Sequence, residues 1–163
     1  MGRARRAGHG PGLTAAGPLV CLALLAGCAA GAGSPRAIAS SPLAAGERVY
    51  QDGVAPDGSR IGRIGGVAMP MAGDGCAACH GSDGRGRATM MVTAPDITYG
   101  NLTNPAGMLE TDGSRGPGYT DALIRRAVIA GVGADGDELD RTMPRWQLTE
   151  EGWTDLLAYL KTL

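Results

Sequence analysis

Cys76-Ala77-Ala78-Cys79-His80 constrains this chain more than any other stretch of it. Two thiols three positions apart, followed at once by an imidazole, bring three reactive side chains to one turn of backbone. A structural zinc site needs about four ligands. Beyond the first 27 residues, the chain offers no other thiol except Cys28 and no second histidine. A thioredoxin-like dithiol would follow a strand in a βαβ unit, and no such pattern surrounds Cys76. The spacing is that of c-type haem attachment, in which the two thiols form thioethers with the two vinyl groups of one haem and the adjacent histidine becomes the proximal iron ligand. The composition calls for a partner of that kind. Gly and Pro make up 38 of 163 residues, aromatic residues 4%, and Phe is absent, so the chain is short of the bulky side chains that fill a core.

The N-terminus reads as an export signal. Arg3, Arg5 and Arg6 form a basic segment, Leu13 to Ala26 an apolar one, and Leu25-Ala26-Gly27-Cys28 follows. An apolar run this short, broken by Gly17 and Pro18, cannot span a bilayer as a stable anchor. Leu-Ala-Gly-Cys resembles the lipobox of bacterial lipoproteins. That resemblance implies a signal peptide over 1–27, a lipid on Cys28, and an extracytoplasmic or periplasmic protein anchored to a membrane. Residues 28–41 are small and polar, a flexible tether spanning roughly 20 Å. Without residues 1–27 the chain carries 12 basic and 16 acidic groups, and Lys161 is its only lysine. A surface of that sign, with no basic stripe, does not suit a nucleic-acid backbone.

From Gly46 to Leu163 the chain resembles class I cytochrome c. Gly46-Glu47-Arg48-Val49-Tyr50 is similar to the family's first helix and Cys79-His80-Gly81-Ser82-Asp83-Gly84-Arg85-Gly86 to its haem loop. Met143-Pro144-Arg145-Trp146, Leu148-Thr149 and Leu157-Ala158-Tyr159-Leu160 are similar to its distal-ligand segment and closing helix. The resemblance implies an all-α fold over 42–163, three main helices wrapped around one covalently bound haem c and its iron. It implies thioethers at Cys76 and Cys79, His80 as proximal ligand, and a proline carbonyl, with Pro95 the candidate, that orients His80. It also implies a crossing of first and last helices at Gly46 and Tyr159.

Met143 is the expected sixth ligand on its own grounds too. It lies 63 residues after His80, far enough for the chain to reach the other haem face, and Pro144 biases it to extended backbone. A thioether suits low-spin iron and raises its potential. Met69, Met71, Met90, Met91 and Met108 are rivals without these flanks. The two methionine pairs also admit a copper(I) reading, though packing against haem or covering its edge is the simpler role. Arg85, Arg87, Arg141 and Arg145 flank the ligands in sequence and suit haem propionates, a docking rim, or plain solvated surface.

Periodicity places the helices. Ser41-Pro42 caps a helix to about Gln51 with Leu43, Gly46 and Tyr50 on one stripe. A middle helix starts near Thr120 and stops at Gly131. Thr149 caps a last helix with Trp153, Leu156, Leu157 and Leu160 on one face. Between the first helix and the cysteines, residues 52–75 form a Gly-rich insertion, a departure from the family pattern. Within it Gly53–Ile61 resembles Gly131–Leu139, which points to shared turn chemistry around Asp-Gly. Asp135, Asp137 and Asp140 are acidic enough for Ca²⁺ but do not have EF-hand spacing.

The expectation is therefore a tethered electron carrier and not an enzyme, with transient redox-protein partners outside the cytoplasm. A distal acid–base residue is missing, since the second histidine, His9, falls in the signal. The other readings are a haem subunit of a larger dehydrogenase or oxidase, or a peroxidase or gas sensor with a labile sixth ligand.

Overall fold

Three capped amphipathic segments and a set of glycine turns between them account for the architecture. The structure, a computed structural model, describes residues 41–67 and 73–163. In chain order it contains α1 (Pro42–Asp52), β1 (Gly62–Ile64), α2 (Ala77–His80), β2 (Arg87–Ala88), β3 (Thr93–Ala94), α3 (Tyr99–Leu102), β4 (Met108–Leu109), β5 (Arg115–Gly116), α4 (Asp121–Ala130), β6 (Arg145–Gln147) and α5 (Glu150–Leu160). The signal peptide, Cys28, the tether up to residue 40, Met69 and Met71 lie outside the described residues.

Each longer helix starts at a hydroxyl that accepts from a backbone N–H of its first turn, as N-caps do. Ser41 Oγ accepts from Ala44, Thr120 Oγ1 from Leu123 and Thr149 Oγ1 from Gly152. Gly53 and Gly131 end α1 and α4 in the left-handed conformation, φ 66° and 67°, which glycine adopts without Cβ strain. The buried stripe of α1 is Ala45, Gly46, Val49 and Tyr50. Leu43, expected on that stripe, is instead exposed, because the interface is centred on Gly46 and one residue C-terminal to the expected line. On α5, Trp153, Leu156 and Leu160 are buried, and Leu157 is half-buried at the margin.

α1 packs across α5. The approach is close because Gly46 has no side chain: a methyl there would collide with the Asp155 carbonyl and come 2.9 Å from Tyr159 Cβ. Tyr50 is completely buried at this crossing and stacks obliquely on Tyr159, ring centroids 5.4 Å apart. The core continues through Leu102, Met108, Ile124, Val128 and Trp146.

Among the described residues, the helices expected of an all-α chain are accompanied by short strands. Six strands of two or three residues form three antiparallel two-stranded ladders, β1–β6, β2–β3 and β4–β5. They arise where glycine and Asx turns bring short extended segments side by side. The two similar stretches are near copies. In one, Ala55 N donates to Ser59 O (2.8 Å), Gly58 N to Ala55 O (2.9 Å) and Ile61 N to Gly53 O (2.9 Å). In the other, Gly133 N donates to Asp137 O (2.8 Å), Gly136 N to Gly133 O (3.1 Å) and Leu139 N to Gly131 O (2.8 Å). In each an aspartate, Asp57 or Asp135, accepts from the backbone two residues on. The first copy leads into β1 and the second into Met143 and β6, and the two strands then pair.

Candidate functional site

The haem motif sits on the single turn of α2, whose backbone places Cys76, Cys79 and His80 at the wall of a cavity of about 220 Å³. The turn is fastened from behind by α1. Tyr50 OH donates to the Gly81 carbonyl at 2.8 Å and Gln51 Nε2 to the Ser82 carbonyl at 3.0 Å. The following loop doubles back through Gly81, Gly84 and Gly86, all with positive φ. Gly86 N donates to His80 O (2.9 Å) and Ile97 N to Gly84 O (2.7 Å), which delivers Pro95 beneath the histidine.

His80 is buried, and its Nδ1 lies 3.0 Å from the Pro95 carbonyl. A carbonyl only accepts, so Nδ1 carries the proton and Nε2 is left with its lone pair free. Burial holds the imidazole below its ordinary pKa near 6.5, with the Pro95 bond working against that shift. The ring is thus neutral and oriented, the state that ligates a metal.

Cys76 and Cys79 are not joined to each other in a disulfide. Burial pushes Cys76 up to about 12. It also raises Cys79, against the pull of the Arg63 and Arg87 cations. Neutral sulfur suits a thioether, which carries no charge, and disfavours a thiolate–metal site. Most of the lining is apolar, including Leu102, Ile124, Val128, Trp146, Leu156 and Leu160, with Arg63, Asp140 and Thr142 among the polar residues at the cavity. Two thiols on one turn, an oriented neutral imidazole and an aliphatic wall form a donor set that fits one covalently attached haem. Among the described residues, no group of three or more His, Cys, Asp or Glu side chains could hold a bare metal ion. Asp135 and Asp140 accept from backbone N–H groups two residues on, as Asx turns do.

Among the described residues, two methionines reach the cavity, Met143 and Met108. Met108 is buried within the core cluster, whereas Met143 is half-buried in a turn where its N–H bonds Asp140 O at 3.1 Å. Met90 and Met91 are not among the residues that line the cavity. They stand exposed at the tip of the β2–β3 turn, away from the lining, because Thr89 and Val92 close that turn with their own hydrogen bonds and leave the side chains outside.

Arg145 is a residue whose role sequence reasoning missed. It is neither a rim cation nor solvated. Its guanidinium donates to the carbonyls of Asp140 (3.1 Å), Leu139 (2.7 Å), Gly131 (3.4 Å) and Met143 and reaches Glu138 at 3.6 Å. It fills the space over Gly131 that any larger residue would occupy. Five donors in a planar fork allow this. The one available signal was a lone arginine beside a loop with more carbonyls than partners. Arg85, Arg87 and Arg141 are exposed.

The fold and this donor set define a haem-binding α-helical domain. The family model for cytochrome c matches residues 44–163, and the chain belongs to the cytochrome c family, whose members carry covalently attached haem c with its iron. No curated protein and no solved structure matches the chain.

Proposed function

We propose that the protein is a membrane-tethered, mono-haem class I cytochrome c that carries single electrons between extracytoplasmic redox partners, with α1, α4 and α5 as the three main helices of that fold. The observation that carries the reading is His80, buried, neutral and held by the Pro95 carbonyl, on the wall of an apolar cavity that Met143 also lines. Bound haem would supply a one-electron iron couple. The chain's residues do the rest. Cys76 and Cys79 would anchor the macrocycle as thioethers, His80 Nε2 and Met143 Sδ would ligate its iron, and the aliphatic wall would exclude water. With both ligands held by the chain, no open site would be left for a substrate, and the protein would exchange electrons and not atoms. Docking is weak and transient, as redox encounters are, and the lipid on Cys28 raises the effective concentration near membrane-bound partners.

The test is the visible spectrum of the haem-loaded protein, oxidised and reduced, with and without carbon monoxide, beside Met143→Ala and Met108→Ala. A low-spin spectrum indifferent to carbon monoxide in the unmodified protein and in Met108→Ala, and lost in Met143→Ala, is the expected result. Ready carbon monoxide binding by the unmodified protein would instead favour a gas-sensing or peroxidase role. Cys28→Ser is expected to move the protein from the membrane fraction to the soluble one.

A further inference from the structure

The insertion between α1 and Cys76 is tied to the segment that carries Met143. Its strand β1 pairs antiparallel with β6, Gly62 opposite Gln147, Arg63 opposite Trp146 and Ile64 opposite Arg145, and β6 begins two residues after Met143. Beyond β1 the chain turns at Gly65 and Gly66, φ 73° and 83°. Gly66 N then donates to the Arg141 carbonyl at 3.0 Å. The insertion therefore grips both flanks of Met143-Pro144, Arg141 on one side and Arg145 to Gln147 on the other. The fit between is close: a methyl on Gly66 would lie 2.9 Å from Pro144 Cβ. The grip is itself anchored to the haem-attachment segment, because Arg60 and Arg63 both pair with Asp74, two residues before Cys76.

We propose that strand β1 and the Gly65-Gly66 turn are a positioning clamp that holds Met143 at the haem cavity and so controls how readily its place on the iron can be lost; this rests on Met143 being the sixth ligand. The physics is a competition. An added ligand binds only the fraction of molecules whose thioether has swung away, so its apparent affinity scales with that fraction. Each contact between β1 and the Met143 segment lowers it. Gly66→Ala adds a methyl against Pro144 and strains a left-handed backbone, and swinging the segment out relieves the contact.

The experiment is a carbon monoxide titration of the reduced, haem-loaded full chain. Gly66→Ala is expected to bind carbon monoxide about tenfold more tightly than the unmodified protein, about 1.4 kcal/mol. Gly58→Ala is the control, since it imposes the same left-handed strain in the same insertion (φ 86°) with nothing within 4 Å of the added methyl. It is expected to melt lower by a similar amount with carbon monoxide affinity unchanged. Ile64→Pro, at an exposed strand position, weakens the β1–β6 ladder without touching the core and is expected to act as Gly66→Ala does. If Gly66→Ala and Ile64→Pro bind carbon monoxide no more tightly than Gly58→Ala, while Met143→Ala binds it readily, the clamp is refuted and the ligand assignment stands. If Met143→Ala itself keeps the closed low-spin spectrum, it is the ligand assignment that fails.

Discussion

Arg145 adds a side-chain tie to a turn already closed by backbone hydrogen bonds such as Leu139 N to Gly131 O and Met143 N to Asp140 O. The stretch from Gly131 to Met143 is irregular, and its carbonyls at Gly131, Leu139, Asp140 and Met143 converge on one guanidinium. Lysine offers three donors on one nitrogen and cannot span them, so Arg145→Lys leaves the half-buried Leu139 and Met143 carbonyls without this partner. The expected cost is about 2 kcal/mol, read by chemical denaturation of the haem-loaded protein, and a loss indistinguishable from zero would sink this account. Residue-scale identity at the haem turn was legible from sequence, since Cys76, Cys79 and His80 are adjacent and their spacing alone carries the chemistry. Arg145 was not, because its partners are backbone oxygens, and every residue has one. The exposure of Met90 and Met91 was not legible either, since an apolar side chain faces inward only where its turn directs it, and theirs does not.

At the scale of elements, the α1–α5 crossing is the tightest joint. Gly46→Ala is expected to destabilise by about 3 kcal/mol, as overpacking against backbone does, whereas Gly100→Ala, with open space around it, is expected to change stability little; equal unfolding midpoints for the two would contradict the close approach. The C-terminus of α5 is pinned to α4 by Lys161, whose ammonium lies 2.7 Å from Asp121 and 5.4 Å from the centre of the Tyr99 ring. Lys161, then Tyr99, hold the Asp121 carboxyl below its ordinary 3.8, and Asp121 holds Lys161 above 10.5. A lowered carboxyl stabilises above its unfolded value and loses that as pH falls through the folded one. A raised ammonium stabilises below 10.5 and loses that as pH rises through its folded value. Lys161→Ala is therefore expected to melt lower by a constant amount between about pH 5 and about pH 9, with the gap closing towards both extremes. Melting curves across that range decide it, and a gap independent of pH at the acid end would rule the pair out as its source. Helix limits were legible to within a residue because hydroxyl caps and stop glycines are local signals. The strands were not, since two residues of extended chain have no periodicity.

For the whole molecule, the haem is as much a core as a cofactor. The cavity wall draws on α2, α4 and α5 and on segments from Arg63 to Trp146. Burying on the order of 400 Å² of macrocycle at about 25 cal/mol/Å² stabilises by roughly 10 kcal/mol, as much as the net stability of a domain. The apo-protein is expected to be largely unfolded, with weak helical circular dichroism and no cooperative melt; a sharp apo transition near that of the haem-loaded form would show the chain core to be sufficient alone. Sequence by itself determined the attachment chemistry, the helix ends and the need for a large apolar guest, because each is written in neighbouring residues or in bulk composition. Only the tertiary structure decided that the insertion pairs with the Met143 segment, that Arg145 faces inward and that Gly46 meets a carbonyl. The first and last of these join residues about 80 to 110 positions apart, and contacts at that range depend on where the intervening chain folds and leave no local mark on the sequence; Arg145 reaches only 2 to 14 positions, but to backbone carbonyls, which every residue carries.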